Sequence, residues 1–252
     1  MAGHSKFKNI MHRKGAQDKK RAKLFSRLIR EVSVATKLGL PDPDTNPRLR
    51  TAINNALAAN MPKINIERAI KKNSDSGNSF NIDEIIYEGF GPSGIAIIID
   101  VLTDNKNRSA SEVRSIFNKY NGNLGTNGSV KHLFQRVGNI VYNSDICAFE
   151  EIFEMCIKCD VTEVEEINNQ YHIITNLELF QNTLDFLEKN LKLPSFSGLD
   201  WRPKTLIDVN NDEAQKLLLL IEKLEDSDDV QNTTSNANFS EEFLETISWM
   251  SL

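Results

Sequence analysis

The spacing of apolar residues predicts that the chain begins with a group of helices. In the segment Gln17–Leu38, apolar residues recur at intervals of three and four, which places them on one side of a helix. The members of this predicted buried face are Leu24, Phe25, Leu28, Ile29, Val32 and Ala35. Asn46-Pro47 is a favourable helix start and predicts a second helix that runs to about Asn60. Pro62 ends that helix, and Asn65 predicts a third, Ile66–Lys72.

Strand patterns replace the helical period after the polar linker Asn73–Asn81. The predicted elements are the strands Asp83–Tyr87 and Gly94–Leu102, the helix Ser109–Tyr120 and the strand Ser129–Arg136. The turn Gly89–Ser93 joins the first two strands into a hairpin. The unit has the order ββαβ, so it lacks one strand and one helix of a complete unit.

A complete unit follows directly along the chain. Its predicted elements are the strand Asn139–Tyr142, the helix Ile146–Lys158, the strands Val161–Glu166 and Tyr171–Thr175, the helix Leu177–Asn190 and the extended segment Leu193–Trp201. This order, βαββαβ, is that of a split-βαβ or ferredoxin-like domain.

The end of the chain can complete the earlier unit. Thr205–Val209 predicts a strand and Asp212–Leu224 a helix, and both are expected to return to the middle domain. The acidic, polar stretch Glu225–Asn238 is expected to be loose, and Phe239–Leu252 either forms one more short helix or frays.

The predicted fold class is therefore α+β with three domains. An N-terminal helical domain is followed by two ferredoxin-like α/β domains, and the last is inserted in the middle one. The predicted boundaries are 1–75 for the basic helical domain with its arm, 82–138 plus 203–238 for the discontinuous middle domain, 139–202 for the inserted domain and 239–252 for a tail.

Charge is divided unequally between the two ends of the chain. Residues 1–72 hold 17 basic and 5 acidic residues, a net charge of +12, whereas residues 139–252 hold 7 basic and 23 acidic residues, a net charge of −16. On the predicted first helix, Lys19, Lys23, Arg27 and Arg30 form one stripe opposite the apolar face. Residues 1–16 have no clean period and are expected to form a mobile basic arm. A cationic end of this kind favours a polyanionic partner such as nucleic acid, because phosphate neutralisation releases counterions.

Composition excludes several classes of protein. The 252 residues are 40% hydrophobic and 26% charged, as in a soluble globular protein, and no apolar run is long enough to span a bilayer. The start of the chain lacks the apolar region of a secretion signal. Cys147, Cys156 and Cys159 are odd in number, which favours a reducing compartment. The single C-x-x-C pair lacks the second pair that a structural zinc site requires, so no metal is expected.

Two further motifs indicate structure rather than catalysis. Gly89–Gly94 has the letters G-x-G-x-x-G, but a strand follows it where a dinucleotide site needs a helix, so no nucleotide cofactor is expected. Ser109 with Glu112 predicts a capping box at a helix start. That box leaves Asn105, Asn107 and Arg108 as candidate exposed contacts. No hydrolase, P-loop or metalloprotease motif is present, and the chain is not expected to be an enzyme.

Two blocks of sequence resemble the YebC/PmpR family, which is related to a mitochondrial translational activator. The first block comprises Ala2–Lys6, His12–Lys14, Gln17-Asp18 and Leu28–Glu31. The second comprises Tyr87–Pro92, Thr103–Asn105, Asn107-Arg108 and Glu112–Arg114, and Gly122, Gly125 and Gly128–Val130 extend it. The chain departs from the family pattern at Lys8 and after Val230. Because the resemblance starts at Ala2, no transit peptide is expected.

The resemblance implies a three-domain, cytoplasmic, non-enzymatic regulator that binds DNA and controls transcription. The alternative is a ribosome-associated or RNA-associated translation factor. The acidic C-terminal half could bind a protein partner, and no membrane or cofactor is expected. The candidate nucleic-acid-binding residues are His4, Ser5, Lys6, Lys8, His12, Arg13, Lys14, Lys19, Lys20, Lys23, Arg27 and Arg30, with Asn105, Asn107 and Arg108 as candidate loop contacts.

Overall fold

The computed structural model describes residues 17–74 and 82–249, and its first three elements are helices. They are α1 (Gln17–Leu38), α2 (Pro47–Ala58) and α3 (Lys63–Ser74). Asn46 starts α2, because its side-chain oxygen accepts a hydrogen bond from the backbone N–H of Leu49 at 3.1 Å. Its amide nitrogen donates to the carbonyl oxygens of Ala35 and Leu40, each at 2.8 Å, which ties the end of α1 to the start of α2.

The three helices share one apolar core. Its buried members are Val32, Ala35, Leu49, Ala52, Ala56, Met61, Ile66 and Ala69. The predicted apolar face of α1 is confirmed for five of its six residues, and Leu24 is the exception because it is 46% exposed. Within residues 21–38 of α1, the fully buried positions begin at Val32, so the other helices cover the later part of this stretch more closely than the earlier part.

The middle sheet is built on a hairpin. Strands β1 (Asp83–Phe90) and β2 (Ala96–Thr103) pair in antiparallel register, as the sequence predicts for Gly89–Gly94. Ser93 and Gly94 form the turn with φ angles of 60° and 75°, a left-handed conformation that glycine adopts freely. The short β3 (Asn123–Leu124) and β9 (Val230–Ser235) complete the sheet in the order β3-β1-β2-β9.

Both faces of β2 are buried. On one face, Ile97, Ile99 and Val101 contact a core that includes residues of the helices α4 (Lys106–Lys119) and α7 (Asn211–Asp226). On the other face, Ala96 and Ile98 belong to a smaller cluster with Val130, Phe134 and Trp201. Ile95–Ile99, which leads into and forms the first half of β2, is accordingly a continuous apolar run, as expected where both faces of a strand are buried.

Two predictions about the end of the chain are wrong. The stretch Glu225–Asn238, expected to be loose, contains β9, which pairs with β2. The predicted strand Thr205–Val209 is reduced to β8 (Ile207–Asp208), which pairs in parallel with β10 (Ala237–Asn238) in a separate two-stranded sheet. Thr, Ser and Asn dominate β9, so its composition resembles a loop, yet Thr233, Thr234 and Ser235 are buried. The last described element is a helix, α8 (Glu241–Trp249).

The third sheet contains β4 (Phe134–Asn143), β5 (Glu163–Ile167), β6 (Gln170–Asn176) and β7 (Phe196–Pro203). Its helices are α5 (Phe149–Ile157) and α6 (Phe180–Asn190). The strand order β5-β6-β4-β7 within βαββαβ is the ferredoxin-like arrangement predicted from the sequence. The mixed α+β fold class is confirmed.

One strand of this sheet replaces two predicted strands. The strands predicted at Ser129–Arg136 and Asn139–Tyr142 are wrong as separate elements, because β4 runs unbroken from Phe134 and residues 131–133 form a short 3-10 turn. Gly138 lies in the middle of β4, where a Cβ atom would collide with the side chains of Phe180 and Thr175. The glycine therefore marks a close contact within the strand and not a break.

The described residues form two compact units. Of the described residues, one unit contains 17–19, 82–135 and 201–249, and the other contains 20–74 and 136–200. In the second unit, Asn55 of α2 bonds twice to the backbone of Ser197. Its amide nitrogen donates to the carbonyl oxygen at 2.7 Å, and its oxygen accepts from the N–H at 2.9 Å. The domain boundaries proposed above stay a prediction.

A buried carboxylate holds the loop that leads out of the middle sheet. Glu88 is 2% exposed, and its carboxylate accepts hydrogen bonds from the backbone N–H groups of Gly128, Val130 and Lys131, each at 2.7 Å. Burial raises the pKa of Glu88, but the three N–H donors and the charge of Lys131 outweigh burial, so its pKa lies below the ordinary value. Gly128 adopts φ 86°, which the loop needs in order to aim these N–H groups at Glu88.

We expect Glu88→Ala to lower the free energy of unfolding of the middle sheet by at least about 3 kcal/mol, because three backbone donors lose a charged acceptor. Hydrogen exchange at the backbone amides of Gly128, Val130 and Lys131 measures the local loss of stability. In the variant, exchange at these three amides should be faster than in the wild type. Glu112→Ala is the matched control, because Glu112 is exposed on helix α4 beside the same sheet and its loss should cost less than about 0.5 kcal/mol.

The lowered pKa of Glu88 also sets the pH dependence of this effect. Its contribution is fully present above the unfolded carboxyl pKa of about 4.3 and is lost as the pH falls through the lower folded value. The difference in unfolding free energy between the wild type and Glu88→Gln should therefore be constant near neutral pH and should shrink below about pH 4. If the difference in unfolding free energy between the two proteins does not change with pH, Glu88 does not have the lowered pKa in the folded state.

Candidate nucleic-acid interface

Much of the predicted nucleic-acid site lies outside the described residues. This holds for the residues of the N-terminal arm, namely His4, Ser5, Lys6, Lys8, His12, Arg13 and Lys14. Lys19 and Lys20 lie in the first turn of α1. The assignment of all of them to a nucleic-acid site stays a prediction.

The remaining basic residues of α1 are less exposed than the sequence suggests. Lys23, Arg27 and Arg30 are half-buried, and each of them takes part in an interaction within the chain. Within residues 21–38 of this helix, Arg21 is the exposed cation, and its guanidinium lies 5.3 Å from the ring centroid of Phe25. Three of the four residues of the predicted basic stripe on α1 therefore already make intramolecular contacts.

Helix α3 presents a second cationic face, which the sequence analysis missed. Lys63, Arg68, Lys71 and Lys72 are exposed, and Glu67 is the one exposed acid among them. The predicted helix began at Ile66, so Lys63 was left outside it. The available signal was Pro62, because a proline just before a run of helix-forming residues places the helix start at once after it.

The loop between β2 and α4 is held by its own residues. Asn105, and not the predicted Ser109, is the N-cap of α4, because its side chain accepts from the N–H of Arg108 at 3.1 Å. The predicted capping box of Ser109 and Glu112 is wrong, since α4 begins one turn earlier and Ser109 is buried inside it. Asn107 is exposed, as a contact residue requires.

Arg108 forms ion pairs with two carboxylates. Its guanidinium lies 2.5 Å from Asp104 and 3.1 Å from Asp229, and hydrogen bonds to these two groups raise its pKa. Asp229 is buried and also accepts a hydrogen bond from the hydroxyl of Thr103 at 2.7 Å. Arg108 therefore ties the start of α4 to the residue that precedes β9, which gives it a structural role.

Within residues 17–74 and 82–249, no group of three or more His, Cys, Asp or Glu side chains could hold a metal ion. The buried Cys156 is protonated at neutral pH, because burial raises its pKa to about 12. In the same part of the chain, no helix has the length and apolar character that a membrane crossing demands.

A protein partner at the acidic C-terminal half stays a prediction. The surface of that half includes helix α5, where Phe153 and Ile157 are 44% and 62% exposed. Glu150 and Glu154 lie on the same helix and are also exposed.

Family models match two long segments of the chain. Residues 5–76 match the TACO1/YebC protein N-terminal domain, and residues 82–237 match the TACO1/YebC second and third domain. Together these segments span most of the 252 residues.

Similar proteins match over nearly the full length. A probable transcriptional regulatory protein of Zymomonas mobilis is 50% identical over 245 residues, which cover 97% of this chain and 98% of the relative. One from Rickettsia bellii is 49% identical over 246 residues, covering 97% of each chain. The crystal structure of a conserved hypothetical protein from Aquifex aeolicus is similar with a TM-score of 0.83 and 41% identity, over 88% of this chain and 92% of that one.

Replacing Asp229 by Asn tests whether Arg108 has a structural role. We expect the free energy of unfolding to fall by about 1–3 kcal/mol, because a buried hydrogen-bonded charge is removed from the pair. Asp145→Asn makes the same charge change at an exposed position in the turn after β4 and should cost less than about 0.5 kcal/mol. Chemical denaturation measures both variants, and equal losses would contradict the role assigned to the pair.

Proposed function

The chain belongs to the TACO1/YebC family, and we propose that it is a non-enzymatic regulator that acts by binding nucleic acid. Its most fitting role is that of a DNA-binding transcriptional regulatory protein in the cytoplasm. The alternative role is that of a translation factor that binds ribosomal RNA.

The names of the full-length relatives support the regulatory role, and one observation carries the nucleic-acid part of the proposal. Residues 1–72 concentrate a net charge of +12 in a domain whose described part is entirely helices and short connections. A polyanion binds such a domain through counterion release, which favours association over a wide range of sequences.

The helical character of the domain favours DNA over RNA. The major groove of B-DNA is about 12 Å wide and admits an α-helix, whereas the major groove of A-form RNA is too narrow and deep for side chains to read. A domain that offers cations on helices therefore fits duplex DNA better than duplex RNA.

Sequencing of the nucleic acid that crosslinks to the protein in cells tests the two roles. Enrichment of promoter DNA supports the transcriptional role, and enrichment of ribosomal RNA supports the translational alternative. If the crosslinked nucleic acid is the same as that recovered with an acidic control protein that does not bind nucleic acid, the proposed nucleic-acid binding is contradicted.

A variant with Lys19, Lys23, Arg27 and Arg30 all replaced by Gln should bind nucleic acid more weakly. On duplex DNA, each lost phosphate contact should flatten the slope of log K against log salt by about 0.9. Fluorescence anisotropy at several salt concentrations measures the affinity and the slope.

The control for this variant replaces four exposed lysines of the acidic half by Gln, namely Lys158, Lys189, Lys192 and Lys216. Both variants change the net charge equally, so a general effect of charge would move both slopes alike. Circular dichroism confirms that each variant is folded, because the α1 residues are half-buried. An unchanged slope in the α1 variant excludes this stripe as a phosphate-binding surface.

A further inference from the structure

Helices α2 and α3 are joined by a turn of fixed geometry. Only four residues, 59–62, separate them. The N–H of Met61 donates to the carbonyl oxygen of Ala56 at 3.0 Å, and the N–H of Asn60 donates to that of Leu57 at 2.9 Å. Asn60 has φ 59°, so the three features together form a Schellman motif at the end of α2.

The turn is also anchored in the core. Met61 is 3% exposed and packs in the cluster that holds Ala56 and Ile66. An apolar residue that follows the left-handed position and contacts the preceding turn commonly accompanies this motif. The direction in which α3 leaves α2 is therefore set by hydrogen bonds and packing.

The outward side of α3 carries a compact set of cations around one apolar residue. At 100° per residue, the exposed residues of the helix lie within an arc of roughly 180°. Besides Ser74, these residues are Lys63, Ile64, Glu67, Arg68, Lys71 and Lys72. Ile64 is 61% exposed near the middle of this arc, whereas Ile66 and Ala69 face the core.

Three of these cations are available for an external partner. Within residues 17–74 and 82–249, Lys63, Arg68 and Lys71 form no ion pair. By contrast, Arg48 of α2 is held by Glu31, with its Nε 2.7 Å from a carboxylate oxygen. On the basic helix α1, Lys23, Arg27 and Arg30 are half-buried.

We propose that α2 and α3 form a helix-turn-helix unit and that α3 lies in the major groove of duplex DNA. A turn of about four residues between two helices is found in this motif, in which the second helix enters the groove. Lys63, Arg68 and Lys71 then contact phosphates on the walls of the groove, and Ile64 packs against the base edges between them. This inference rests on the proposed function, because it names the surface through which the nucleic acid is bound.

The dimensions of α3 fit this role. A helix with its side chains is about 10–12 Å across, which matches the width of the groove of about 12 Å. With 12 residues, α3 is about 18 Å long, enough to follow roughly half a turn of the duplex.

The test is a variant with Lys63, Arg68 and Lys71 all replaced by Gln in the full-length chain. Binding to a random-sequence DNA duplex of about 25 base pairs is measured by anisotropy between about 50 and 200 mM salt. We expect the slope of log K against log salt to flatten by about 2.7, since each lost phosphate contact contributes about 0.9. The single variant Arg68→Gln should flatten it by about 0.9.

The matched control replaces Lys158, Lys189 and Lys192 by Gln, three exposed lysines outside the helical domain. It makes the same change in net charge and should leave the slope unchanged. A fourth variant, Ile64→Ala, should weaken binding about fivefold at every salt concentration with no change in slope, because an apolar contact releases no counterion.

The outcomes separate this inference from the proposed function. If the wild type binds DNA and the α3 triple variant keeps the wild-type slope, the groove assignment is wrong and the proposed function stands. If the triple variant loses only binding to an RNA hairpin, α3 is not a major-groove element. If the wild type binds neither DNA nor RNA, both the inference and the proposed function fall.

Discussion

The middle sheet depends on one constraint, which is that strand β2 must be covered on both faces. Ile95 to Ile99 are all fully buried, so neither face of the strand can be left to solvent. Helices α4 and α7 cover one face, and Val130, Phe134 and Trp201 cover the other. The second cover comes from a loop and from two strands that continue into the next sheet. The carboxylate of Glu88 holds that loop in place, which explains why a charged residue is buried in the middle of an apolar hairpin.

This arrangement also shows why short sequence motifs can mislead. Tyr87–Pro92 and Thr103–Arg108 have the composition of a ligand site, with glycines, a carboxylate and a basic residue in short stretches of sequence. In the structure, Glu88 binds backbone N–H groups, Asn105 caps a helix, and Arg108 pairs with Asp104 and Asp229. The hydrogen bonds and ion pairs of these residues therefore hold two loops of the protein in place. Lys63, Arg68 and Lys71 of α3 form no ion pair with any other described residue, and they lie in a stretch with no recognisable motif.

Local patterns of the sequence predict most of the fold. The helical period of α1, the Asn46-Pro47 start of α2 and the alternation in the third sheet each reflect short-range physics, and these elements are present. The errors occur where the decisive partner is distant. Nothing near β9 shows that Thr233 and Thr234 will be buried against β2, because its partner lies some 130 residues earlier. On α3 the error is local: its start was placed three residues late, which left Lys63 and Ile64 outside the predicted helix.

The paired hydrogen bonds between Asn55 and Ser197 have a consequence for the solubility of the folded chain. β7 lies at the border of its sheet, and such a border offers free backbone groups to which a strand of another molecule can add. The side-chain amide of Asn55 occupies both backbone groups of Ser197 and so imitates the neighbouring strand that is missing there. The helical domain therefore covers this part of the strand edge, which disfavours edge-to-edge pairing between chains. This effect is separate from any role in recognition.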